Sequence, residues 1–125
     1  MAGEDIKSRA KNLAIKIGYL VKELPYDVVN KTYINQIIRS AASVSANYRA
    51  AARAKSDADF INKLKICEEE ADETQHWLEL LLEFNKAFEA KIMLLHKECN
   101  ELVAIFVASV KTVKARLAAA KEKSG

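Results

Sequence analysis

Apolar residues recur along this chain at three- and four-residue intervals, the spacing that lines one face of a helix. Ile6, Ala10, Leu13, Ala14, Ile17, Leu20, Val21 and Leu24 form the first stripe and predict a helix over about residues 4–24. Pro25 ends it, because the residue before a proline is pushed away from helical backbone angles. Pro25 to Thr32 then reads as the longest connection. A second stripe, with Ile34, Ile37, Ile38, Ala41, Val44, Tyr48 and Ala52, predicts a helix over about 32–54. Its middle, Ser40 to Ala46, is a run of small residues that lets a neighbouring helix come close. Ser56 and Asp59 have the spacing of a capping box and open a third helix over about 57–85. A fourth is predicted over about 88–121, with Leu95, Cys99, Leu102, Ile105, Phe106, Val110, Val113 and Leu117 inward. Asn85 to Ala87 contains neither Gly nor Pro, so one uninterrupted long helix is the alternative at that junction. The closing AAAKEKSG reads as a fraying, solvated tail.

Three Gly and one Pro are too few for the many tight turns of a β or α/β fold. The pattern therefore predicts an all-α, antiparallel up-down four-helix bundle, with residues 1–125 as a single domain. The longest apolar run, Leu102 to Val110, is far shorter than the roughly 20 residues that span a bilayer, so no membrane role is expected. The first residues carry charges where a secretory signal needs its apolar core, and Cys67 and Cys99 are isolated at apolar helical positions. Both features fit reduced core thiols in a cytoplasmic protein.

Two segments are more apolar than a lone bundle needs. Placed at about 100° per residue, Trp77, Leu78, Leu80, Leu81, Leu82 and Phe84 cover roughly 200° of the helix circumference, whereas one buried side takes little over 100°. Leu102 to Val110 is apolar nearly all round. Large contiguous apolar patches mark interfaces, so the chain is expected to associate with itself, with Tyr48, Trp77, Leu80 and Phe84 as candidate contact residues.

Charge is unevenly spread although the net is only +3. Residues 1–55 hold 10 Lys/Arg against 4 Asp/Glu, residues 56–86 hold 3 against 9, and residues 87–125 hold 7 against 4. Within the second helix Arg39, Arg49 and Arg53 fall within roughly 80° around the axis and about 20 Å along it, with Lys55 beyond the helix end. Such a row can contact successive phosphates, which makes RNA, or an enzyme that handles nucleic acid, the preferred partner. The competing expectation is that these cations pair with the acidic third helix. Tyr19, Tyr26, Tyr33 and Tyr48 offer stacking surfaces, though tyrosines at helix ends and interfaces more often pack.

Catalytic chemistry has little to stand on. Glu73 and His76 have the Glu-x-x-His spacing of di-metal carboxylate bundles, but that site needs a second such pair, and the other histidine, His96, has Met93 three residues before it. His96 and Cys99 make a two-ligand pair where zinc takes three or four protein ligands. There is no Gly-rich phosphate loop. The expectation is a non-enzymatic protein with no catalytic residues, metal or cofactor. A protein–protein scaffold without nucleic acid is the alternative, and a di-metal carboxylate enzyme the remote one.

Three blocks carry a family resemblance: Ile38-Arg39-Ser40-Ala41-Ala42-Ser43-Val44-Ser45-Ala46-Asn47-Tyr48, Asp59-Phe60-Ile61, and Glu73-Thr74-Gln75-His76-Trp77-Leu78. In order and spacing they resemble the bacterial 23S rRNA-intervening-sequence proteins. The family pattern often has proline at the place of Ser45, an acid at Ala50 and glycine at Ala51, none of which this chain has. The resemblance implies an up-down four-helix subunit assembled as a homopentamer, in a cytoplasmic bacterial protein without an established biochemical activity. Related pentameric bundles serve diversity-generating retroelements, where a basic surface binds RNA and a reverse transcriptase.

Overall fold

A computed structural model describes residues 2–124, with side chains from 5 to 123. It contains four long helices, α1 (Ala2–Glu23), α2 (Val28–Ala51), α3 (Asp57–Phe84) and α4 (Glu89–Ser124), with one 3-10 turn, Lys86–Phe88, and no strand among the described residues. Neighbouring helices run antiparallel. Side-chain contacts fix the direction of each pair: Arg9 with Glu98 and Lys91 with Glu23 between α1 and α4, Asn30 with Asn85 and Arg39 with Glu70 between α2 and α3, and Glu79 with His96 and Asp57 with Arg116 between α3 and α4.

The first connection is shorter than the sequence suggested. Asp27 holds an extended backbone and its Oδ1 accepts from the Asn30 N–H at 2.8 Å, so α2 begins at Val28 and not near Thr32. The apolar stripe could not show this, because the opening turn begins with an exposed valine. At its other end α2 stops at Ala51, three residues early. There Arg53 and Ala54 donate to carbonyls only three residues back, at 3.1 and 3.0 Å, and the chain tightens into the turn. Ser56 caps α3 as predicted, its Oγ accepting from the Asp59 N–H at 3.1 Å.

The third junction is a genuine break, made by Asn85. Its backbone leaves the helical region at φ −139°, ψ 56°, and its side chain turns inward. Asn85 Nδ2 donates to the Leu81 carbonyl and to Asn30 Oδ1, both at 2.8 Å, while Asn30 Nδ2 donates to Asn85 Oδ1 and to the Pro25 carbonyl, both at 2.9 Å. Two buried amides thus satisfy one another and tie the α1–α2 turn to the α3–α4 junction. Polar groups this far from water stand only when such partners exist.

The core between the helices is apolar, with Leu13, Ile17, Ile37, Leu64, Leu78, Ile92 and Phe106 all buried. The small residues of α2 lie along α3. Ser40 Oγ is 2.8 Å from Thr74 Oγ1, which itself donates to the Glu70 carbonyl, and the Cys67 thiol reaches the Val44 carbonyl at 3.7 Å. Cys67 and Cys99 are free and buried, and loss of water pushes both thiols up to about 12.

On the α1–α4 side, Arg9 grips Glu98 with Nε at 3.0 Å and Nη2 at 2.6 Å. These bonds hold the Glu98 carboxyl below the usual carboxylate range, against the opposing effect of partial burial. A depressed carboxylate stabilises the fold above its unfolded pKa, about 4.3 for glutamate, and loses that contribution as pH falls through the folded value. Arg9→Ala is accordingly expected to flatten the fall of the urea midpoint between pH 5 and pH 3. An unchanged pH profile would mean that the pair adds nothing in solution.

The predicted fraying tail, whose last residue Gly125 lies outside the described part, is helical through Ser124. At 36 residues α4 is about 54 Å long and outruns its neighbours.

Candidate nucleic-acid interface

The cations singled out above run along α2 and into the turn that follows, Arg39 and Arg49 on the helix and Arg53 and Lys55 beyond its end, and the antiparallel register decides their fates. The acidic run of α3 lies beside the middle of α2. Arg39 meets it there, with Nη1 2.9 Å from Glu70 Oε2 and Nη2 on Glu73. Arg39 is therefore spent on an intramolecular network and leaves the candidate set.

Ten residues further along, the same register brings Arg49, Arg53 and Lys55 opposite the first turns of α3, before the acidic run begins. The two carboxylates available there are already engaged. Asp57 Oδ1 receives Arg116 Nη2 from α4 at 3.1 Å, and Asp59 Oδ2 accepts the Lys55 backbone N–H at 3.4 Å. Arg49, Arg53 and Lys55 are exposed, and none of their side chains has an ion-pair partner among the described residues. Arg49 sits in the last turn of α2, and Arg53 and Lys55 follow in the turn beyond it.

The candidate assembly residues also divide. Tyr48 is not available: only 8% of it is exposed, and its ring lies 5.9 Å from that of Phe106 inside the subunit. The sequence placed it on the apolar stripe, and the stripe faces the core. Trp77 and Leu80 are half-buried on α3, and Phe84 is 56% exposed. Tyr33 stacks on Trp77 at 5.9 Å and meets Phe84 at 6.0 Å, making an aromatic patch across the α2–α3 seam. Trp77 Nε1 is buried there without a hydrogen-bond partner.

A further surface escaped the sequence reading. Between α1 and α4 an open groove of about 590 Å³ has Leu13, Leu20 and Leu95 in its floor and Tyr19 and Leu94 on its flanks, the latter two 67% and 71% exposed. Leu94 belongs to no gap-free stripe, which is why periodicity passed over it. Tyr19 and Tyr26 are indeed solvent-facing, but at the end of the bundle away from Arg49–Lys55.

The Glu-x-x-His spacing forms no interior site. Glu73 is bound to Arg39, and His76 is exposed and lies edge-on to Trp77 at 5.0 Å. His96 pairs with Glu79 at 2.9 Å. Among the described residues no three His, Cys, Asp or Glu side chains converge as metal ligands. Among the described residues no helix is long and apolar enough to cross a membrane.

Helix order and packing define an all-α four-helix bundle with a cationic patch where α2 meets α3. A family model described as 23S rRNA-intervening sequence protein matches residues 4–108, and the chain belongs to that family. It is similar to the crystal structure of a protein of unknown function from the S23 ribosomal protein family of Bacteroides thetaiotaomicron, at 33% identity and a TM-score of 0.76. That likeness covers 89% of this chain and 99% of the other. No curated protein matches the chain.

Proposed function

We propose that this chain is a non-enzymatic protein that assembles with copies of itself, as a pentamer by preference, and binds RNA through Arg49, Arg53 and Lys55. The observation that carries the RNA reading is the state of the arginines: Arg9, Arg39 and Arg116 find carboxylates, whereas Arg49 and Arg53, with Lys55 beside them, have no ion-pair partner among the described residues. Leaving charges uncompensated costs little in water and offers them to an anionic ligand. Phosphate contacts by guanidinium groups are the salt-sensitive part of nucleic-acid binding. Assembly is supported by the Trp77, Leu80 and Phe84 stripe, whose remaining exposed apolar area suits burial against another surface.

Arg49→Glu with Arg53→Glu is expected to weaken RNA binding by at least about tenfold in a fluorescence-anisotropy titration and to leave the oligomer intact. The slope of log K against log salt should become shallower by about 1.5 to 2, the equivalent of two lost phosphate contacts. Unchanged affinity and slope would remove the basic patch as the binding site. The groove between α1 and α4 favours a second reading, a scaffold that receives a partner's apolar segment. That reading expects partner binding with little salt dependence, and sensitivity to Tyr19→Ala and Leu94→Ala.

A further inference from the structure

The family match ends at residue 108, whereas α4 runs on to Ser124. Val113 is the last buried residue, and everything from Lys114 to Lys123 is exposed yet helical. This chain therefore carries a solvent-exposed helical arm of about 15 Å, tied back to α3 at its root by Arg116 on Asp57.

Its charges are one-sided. It holds Lys114, Arg116, Lys121 and Lys123, with Lys111 just before it, against a single acid of its own, Glu122. Cations in the last turn suit the helix dipole, which accounts for Lys121 and Lys123 but decays before Lys111, Lys114 and Arg116. Nor are they arranged to stabilise the helix through acid–base pairs one turn apart. Around the axis, at about 100° per residue, Lys114 and Lys121 fall on one side and Arg116 and Lys123 on nearly the opposite side.

Arg116 holds Asp57 at 3.1 Å, so the root of the arm stands at the same end of the bundle as Arg53 and Lys55. The cations of the arm and of the α2–α3 turn make up one positive end. Among the described residues no exposed aromatic ring lies there, since Tyr19, Tyr26 and Phe84 are all at the opposite end. Single-strand sites depend on aromatic platforms for the bases. A surface of cations without rings can read only the backbone, and the regular phosphate rows of a duplex offer it the densest charge.

We infer that the α4 extension is an added arm which, together with the α2–α3 turn, grips the phosphate backbone of an RNA duplex. This rests on the RNA reading above and adds to it the second half of the site and the form of the ligand. Recognition through phosphates alone is independent of base sequence.

The test is a titration of the full chain with a 20-base-pair RNA duplex, its separated strand and the matching DNA duplex. Three forms are compared: the natural chain, Lys114→Ala/Lys121→Ala/Lys123→Ala, and Arg49→Glu/Arg53→Glu. Alanine keeps the arm helical, and Arg116 is left in place because it holds Asp57. The natural chain should bind the RNA duplex more tightly than the strand. The arm variant should lose about tenfold or more in affinity and reduce the salt slope by about 2 to 3. If the arm variant binds like the natural chain while the α2 variant is weak, the arm inference is overturned and the RNA reading stands. If neither variant changes binding, both fall. Equal or tighter binding of the single strand, tighter binding of the DNA duplex, or a changed oligomer in the arm variant would each overturn the inference as well.

Discussion

Phe106→Ala is expected to lower the stability of the bundle by about 3 to 5 kcal/mol, the largest single loss in the molecule. Phe106 is the bulkiest of the fully buried side chains, at 0% exposure, and it packs against the ring of Tyr48 from across the bundle. Removing the ring forfeits its transfer free energy and leaves a cavity that the long, tightly held helices can close only in part. Tyr48 would lose its aromatic neighbour as well. A domain of this size is stable by only about 5–15 kcal/mol, so the variant should sit at the edge of unfolding. Urea unfolding at fixed protein concentration reads the effect, since assembly would otherwise shift the midpoint. A loss below about 1 kcal/mol would contradict the packing described for α4. Phe106→Leu keeps most of the volume and should fall well short of the alanine loss.

The second large effect is expected at Asn85. Asn85→Ala deletes the groups that satisfy the Asn30 amide and the Leu81 carbonyl, leaving buried polar atoms without partners. Each such group costs about 1–3 kcal/mol, so the variant should lose about 2–4 kcal/mol. The same substitution removes the residue that breaks α3 from the 3-10 turn. Asn30→Ala should cost a similar amount, and the two together should cost less than their sum, because the second deletion removes groups already orphaned by the first. Strict additivity in that double-mutant cycle would show that the two amides do not act as a pair.

These two residues also mark how far the sequence could be read. The four helices are legible because apolar spacing, Pro25 and the Ser56 cap are local signals that tertiary packing does not override. Asn30 and Asn85 are legible only as loop polars. Their pairing spans 55 positions, and no local pattern announces that two amides will be buried face to face. The early start of α2 follows from the Asp27 cap, and the exposed Val28 behind it adds no apolar stripe that would reveal it.

At the candidate site the basic second helix and the acidic third helix were readable, but the pairing register was not. The sequence offered Arg39, Arg49 and Arg53 as one row, and it also offered an acidic helix to neutralise them. Arg39 meets that acidic helix, whereas Arg49 and Arg53 have no ion-pair partner among the described residues. The register sets Glu70 and Glu73 beside Arg39 and leaves the far end of α2 without free acids. Tyr48 shows the converse difficulty. A stripe tells which face is apolar, while whether that face meets its own core or another subunit depends on the neighbours it finds. Trp77 and Phe84 share α3's wide apolar arc, and that width is what separates them from a simple core stripe.

Native mass spectrometry of the chain, mixed with RNA duplex at low salt, tests the central claim most directly. With a 14.0 kDa chain, the account expects a species near 70 kDa, five copies of the mass, and a second species heavier by one RNA duplex. A 14.0 kDa monomer that carries no RNA would contradict both the assembly and the binding.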